Sequence, residues 1–188
     1  MPESKEVKLG FLKIIDVGEA IASPIYTGDD KSYRGALLIT DAEAYPLELV
    51  YSDAVKPTAI ERIALGVKLQ SGINVKRIAL PLMKKLKNKP SIIFVDDVNL
   101  LNAQKETQTI ICSLSEDGVI DENSFFRDST TYQKKVSSIL EKSPNLDIQE
   151  PFSRLSEAID YVHSESNSNS IEEFFDEESY EEEEVFND

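Results

Sequence analysis

The sequence holds one cysteine, one histidine and no apolar run long enough to cross a bilayer. A lone Cys112 excludes an internal disulfide. Its place in an apolar run reads as a small buried hydrophobe in a reducing compartment. A lone His163 excludes a structural zinc site on ligand count and gives a nucleophilic triad no base to build on. It falls near the end of an expected helix, where its charge suits the helix dipole. The charged stretch Pro2 to Glu6 lacks the apolar segment of a secretory leader. A cytoplasmic protein without a membrane span is the expectation. No G-x-x-x-x-G-K-[ST] string and no internal repeat occurs. Residues 165–188 contain no Lys or Arg at all.

That last absence divides the chain. Residues 165–188 carry eleven of the 35 acids, which leaves 24 acids against 20 basic residues in the first 164. Most of the net charge of −15 therefore sits in a short C-terminal polyanion, and the remainder is close to neutral. The expected organisation is one globular domain over residues 1–164 and a disordered acidic tail over 165–188, reached through the polar linker Ser164 to Ser170.

The central stretch is Ser91-Ile92-Ile93-Phe94-Val95-Asp96-Asp97. Four consecutive apolar residues after Lys89-Pro90 predict a short strand buried on both faces, ending on two carboxylates. Val7 to Ile15 alternates as a strand that stops at Asp16. Tyr33 to Thr40 and Leu47 to Tyr51 are two further strands, joined through Asp41 to Ala44 as a hairpin. The period then becomes helical. Thr58 and Glu61 form a capping box, followed by the apolar stripe Ile60, Ile63, Ala64, Val67, with Gly72 as a C-cap. A second helix from about Asn74 carries Val75, Ile78, Ala79, Leu82, Met83 and Leu86, kinked at Pro81. Thr107 to Leu114 reads as a strand, and Tyr132 to Leu140 and Pro151 to His163 as helices. The fold class is thus mixed α/β: one sheet with helices packed on it, in two or three layers.

Three features could carry function. The first is the pair Asp96-Asp97 at the carboxyl end of a buried strand, where ligands and Mg²⁺ commonly bind. The string is similar to a Walker B segment, but the missing phosphate loop excludes an ATPase. Too little chain follows it for a response-regulator receiver. Residues 9–97 resemble the ribonuclease H-like fold in the manner of endonuclease V. The order strand, strand, strand, helix, strand is shared, and two strands end in acids, Ile14-Ile15-Asp16 and Val95-Asp96. The resemblance implies that Asp16 and Asp96 hold Mg²⁺ or Mn²⁺, with Asp97 as accessory, and that the metal activates water for phosphodiester cleavage. The chain departs from that pattern at Val75-Lys76-Arg77-Ile78, which lacks the family's helical glutamate.

The second feature is the basic set Lys76, Arg77, Lys84, Lys85, Lys87 and Lys89. It reads as a solvated helix face or as a dock for the acidic tail, because a near-neutral domain is ill suited to phosphate binding. The third is the tail itself, in which Phe174, Phe175, Tyr180 and Phe186 interleave with acids. Aromatics are not needed for solubility. They are expected to anchor a partner while the acids steer it. The expectation is a non-enzymatic interaction protein without a cofactor, whose tail engages a basic protein surface or a nucleic-acid-binding protein. The alternative is a metal-dependent phosphodiesterase.

Overall fold

Ile92–Val95 forms β4, and all four of its side chains are buried. A computed structural model describes residues 6–18, 31–127 and 129–177, with side chains given through residue 166. β4 lies between two parallel neighbours, β1 (Leu9–Asp16) and β5 (Ile110–Ser113). On the far side of β1, β2 (Tyr33–Thr40) and β3 (Pro46–Tyr51) add antiparallel. The five-stranded order is β3-β2-β1-β4-β5. The chain order expected from the ribonuclease H resemblance is present, and the fold is mixed α/β.

Alternation along the strands sends side chains into two separate cores. Leu12, Leu37, Ile39, Ile93 and Val95 face one core, with Ile73, Ile78 and Leu82 from the chain between β3 and β4. The 3₁₀ segment Val98–Lys105 closes it with Leu100 and Leu101. Leu9, Phe11, Leu38, Phe94 and Cys112 face the other core, under α4 (Ser129–Leu140) and α5 (Glu150–Glu177). There the Phe11 ring stacks tilted on Phe94 at 5.4 Å and meets Phe152 of α5 edge-on at 5.7 Å. Helices on both faces make three layers. The close approach on the first face is set at Gly35, where an added Cβ would strike the Ile78 side chain.

The β2–β3 hairpin forms where the sequence places it. The Asp41 carboxylate accepts from the amides of Glu43 and Tyr45, each at 2.9 Å, and Ala44 takes the left-handed conformation the turn requires. The capping box at α1 (Ala59–Leu65) is also present. The Thr58 amide donates to Glu61 at 2.7 Å, and the Glu61 amide returns to the Thr58 hydroxyl at 3.3 Å.

Four expectations are corrected. The C-cap of α1 is Gly66, with φ 51°, not Gly72, which lies within α2 (Leu69–Gly72). The next helix is continuous with α2 and takes a π-helical form over Ile73–Ala79 before α3 (Leu80–Lys85). The wider turns end at Ala79, two residues before Pro81, so the proline enters at the first turn of α3, where its missing amide is not needed. The apolar stripe of α1 is not buried. Finally, the helix predicted to stop at His163 runs through Glu177, so the linker expected at Ser164 to Ser170 is helical backbone. Ser23-Pro24 and Thr27-Gly28-Asp29-Asp30, whose sequence is loop and turn chemistry between the first two strands, lie outside the described residues.

Cys112 is buried, as its sequence context implies, and burial with the nearby charge of Asp121 pushes its thiol up to about 12. A folded value above the unfolded 9.0 means the stability it lends is complete below pH 9.0. That stability is lost as the pH rises from there toward 12. Native protein should therefore resist a thiol-modifying reagent at pH 8 and react stoichiometrically once unfolded in urea. Rapid native labelling would contradict the burial.

Candidate functional site

The parallel register between β1 and β4 decides what the strand-end acids can do. Leu12 stands opposite Val95, so the next step of each strand brings Lys13 beside Asp96. The Lys13 ammonium forms an ion pair with the Asp96 carboxylate at the solvent-accessible rim. Both leave the sheet on the α5 side, where Lys13 also sits 6.0 Å from the Phe152 ring. Asp16 is three residues farther along β1. At about 3.3 Å per residue it lies about 10 Å beyond the level of Asp96, and alternation turns it toward the opposite face. Its carboxylate accepts from the Gly18 amide at 3.0 Å and lies 3.9 Å from Lys31. Asp97 caps the 3₁₀ segment, accepting from the Asn99 amide at 2.9 Å and the Asn99 side chain at 3.0 Å.

Asp16 and Asp96 are therefore not brought together as two ligands of one cation, and each of the three acids has an internal partner. Among the described residues, no group of three or more His, Cys, Asp or Glu side chains is arranged to hold a metal ion. A cleft of about 460 Å³ opens at this rim between Lys13, Asp96, Ser115, Glu116, Gln149 and Phe152. It lies where an α/β sheet would take a ligand. Gln149 spans it by donating to the Ser115 carbonyl at 3.0 Å. Lys13 was not singled out in the sequence. Its signal was the alternation that puts a lysine on the same face as Phe11.

Of the basic set, Arg77 is tied into the fold and the lysine side chains are exposed. Arg77 pairs with Glu61 of α1 through two contacts of 3.1 Å. Hydrogen bonds from the Thr58 amide and hydroxyl, with the Arg77 charge, hold the Glu61 carboxyl below its usual range. Lys76, Lys84, Lys85, Lys87 and Lys89 are exposed. The backbone amides of Lys87 and Asn88 donate to Glu48 of β3 at 3.0 and 2.7 Å, closing the end of α3 onto the edge strand. Partial burial works against the Glu48 anion. The bonds from Lys87 and Asn88 outweigh it and leave the carboxyl below its ordinary value.

No family model and no curated protein matches the chain. Solved endonuclease V structures are weakly similar. Human endonuclease V (ENDOV) shares 10% identity over 71% of this chain and 55% of its own, with a TM-score of 0.33. The Ciona intestinalis endonuclease V, in complex with a 24mer DNA containing an inosine followed by a ribo-adenosine, shares 13% over 78% of this chain, also at 0.33. This chain spans 61% of the latter's length. Likeness at that level says nothing of this chain's chemistry.

Of the tail aromatics, Phe174 and Phe175 fall on the backbone of α5, while Tyr180 and Phe186 lie outside the described residues. Among the described residues, no helix is long and apolar enough to cross a membrane. If Asp97 acts as a cap, Asp97→Ala should cost about 1 kcal/mol in urea unfolding. An unchanged midpoint would leave its carboxylate without a structural task and available for other chemistry.

Proposed function

We propose that this chain is a non-enzymatic interaction protein. Its acidic-aromatic C-terminal segment engages a basic surface on a protein partner, with Phe174, Phe175, Tyr180 and Phe186 as the contact residues. The observation that carries the reading is the segregation of charge: residues 165–188 hold eleven acids and no Lys or Arg. The Lys13–Asp96 ion pair, in a register that sends Asp16 to the other face, weighs against the metal-dependent alternative. A polyanion attracts a basic partner over several ångströms, and aromatic side chains then add contact energy that charge alone does not give. A partner that itself binds nucleic acid fits the same chemistry, since its basic surface is shaped for a polyanion.

Replacing the four aromatics by Ala leaves the net charge at −15. The melting temperature should stay within error of the parent, while pull-down of basic proteins by the full chain is lost. Undiminished capture would reduce the tail to a charge effect and overturn the proposed role of the aromatics. Millimolar Mg²⁺ or Mn²⁺ should leave the melting temperature unmoved. A clear metal-dependent rise, abolished by Asp96→Asn, would favour the phosphodiesterase alternative.

A further inference from the structure

Helix α1 is amphipathic and has no covered apolar face. Ile60 is 70% exposed, Ile63 79%, and Val67, in the 3₁₀ turn that follows, is fully exposed. None of its residues is buried. Ile60 and Ile63, at i and i+3, share one face of α1, and the exposed Val67 follows just past the Gly66 cap, whose φ of 51° ends the helical phase. Such apolar side chains standing open to water on and beside a formed helix mark a docking surface. Its surroundings are basic. Residues 53–77 carry Lys56, Arg62, Lys68, Lys76 and Arg77 against Asp53 and Glu61. The fitting occupant is therefore a segment that is both acidic and apolar.

The chain contains such a segment. Residues 178–188 hold six acids and no basic residue, with Tyr180, Val185 and Phe186 as apolar anchors. They are also within reach. Ser166 of α5 lies on Arg34, whose guanidinium donates to its hydroxyl at 3.4 Å. The adjacent Tyr33 exchanges backbone hydrogen bonds with Val55 at 2.9 and 2.7 Å, three residues before the cap of α1. The outgoing half of α5 and the approach to α1 thus both reach the same end of β2, through Arg34 and Tyr33. From Ser166 to Glu177 the helix advances about 16 Å. The eleven residues that follow it can span about 36 Å when extended.

We infer that residues 178–188 dock on the exposed Ile60 and Ile63 of α1 and the neighbouring Val67 in the same chain, with Tyr180, Val185 and Phe186 against these side chains and the Glu run against the basic flanks. This inference rests on the reading of the tail as a docking segment and adds a consequence. The tail is held on its own domain, and a basic partner must displace it. Partner capture is then a competition between two basic surfaces for one acidic strip. High salt weakens both, but the apolar stripe keeps the internal contact specific.

Hydrogen exchange by mass spectrometry on the full chain tests this. In a Tyr180→Ala, Val185→Ala, Phe186→Ala variant, amides over residues 59–67 should exchange about tenfold faster than in the parent. Ile63→Asp should give the same acceleration and add nothing when combined with the tail changes, because each removes the same contact. Since Ile63 is exposed, Ile63→Asp leaves the rest of the fold intact. Identical exchange of 59–67 in the parent and the tail variant would overturn the inference. So would protection of 59–67 that grows with protein concentration, which would assign the stripe to a second copy of the chain. The two readings fail separately. Loss of partner capture with unchanged exchange removes only the internal dock, and faster exchange with undiminished capture removes only the partner role.

Discussion

Burial of β4 on both faces is the constraint the rest of the fold obeys. Four residues, Ile92 to Val95, put Ile93 and Val95 into one core and Ile92 and Phe94 into the other. Neither face can be left to water, so the chain must lay helices on both sides of the sheet, and it must flank so short a strand with two neighbours. β1 is the longer neighbour, and its register with β4 is fixed by the same two cores. A slip of one residue would exchange every side chain between them. Once Leu12 is set against Val95, the pair Lys13 and Asp96 follows without further choice. The carboxylate that looks most like a site thereby has a lysine beside it, placed by the geometry that builds the core.

This separates what a sequence can announce from what only pairing decides. The strands over 9–16, 33–40 and 92–95 were legible because their apolar residues follow the strand period or form a short continuous run. The capping box at Thr58 and Glu61 was legible because it is a local bargain between adjacent groups. Ion pairing between Lys13 and Asp96, 83 residues apart, is not local, and nothing in either stretch specifies which residue of β1 meets which residue of β4. The reach of α5 was missed for a different reason. Ser and Asn are poor helix formers, but extending an existing helix needs no new nucleus, so a polar run can continue what Phe152, Leu155 and Ile159 have anchored.

The stripe on α1 shows the complementary failure. Periodicity identified Ile60, Ile63 and Val67 as one face and implied a core beneath it. The structure keeps Ile60 and Ile63 on one face, ends the helix at Gly66 before Val67, and withholds the core. Amphipathic spacing reports that a surface exists for a partner, not that the partner belongs to the same domain. At the buried segment that follows, Ile73, Val75 and Ile78 carry a similar aliphatic signal and do enter a core, against Gly35 and Leu37 of β2. Only the sheet position distinguishes the two.

An isolated helix of seven residues is too short to hold itself together in water. Here α1 lacks the packing that usually compensates, and it is held instead by polar ties at its start. Thr58 and Glu61 satisfy each other's amides, and Arg77 clamps Glu61 from the next helical segment. These bonds order the backbone while leaving the aliphatic face free. A surface prepared in this way has already met its own conformational cost, so docking has to order only the incoming segment. Glu61 is thus the residue on which the presentation of the stripe turns. It links cap, helix and clamp in one carboxylate, and Arg62, donating to the Pro57 carbonyl at 3.4 Å, adds a second tie at the same end.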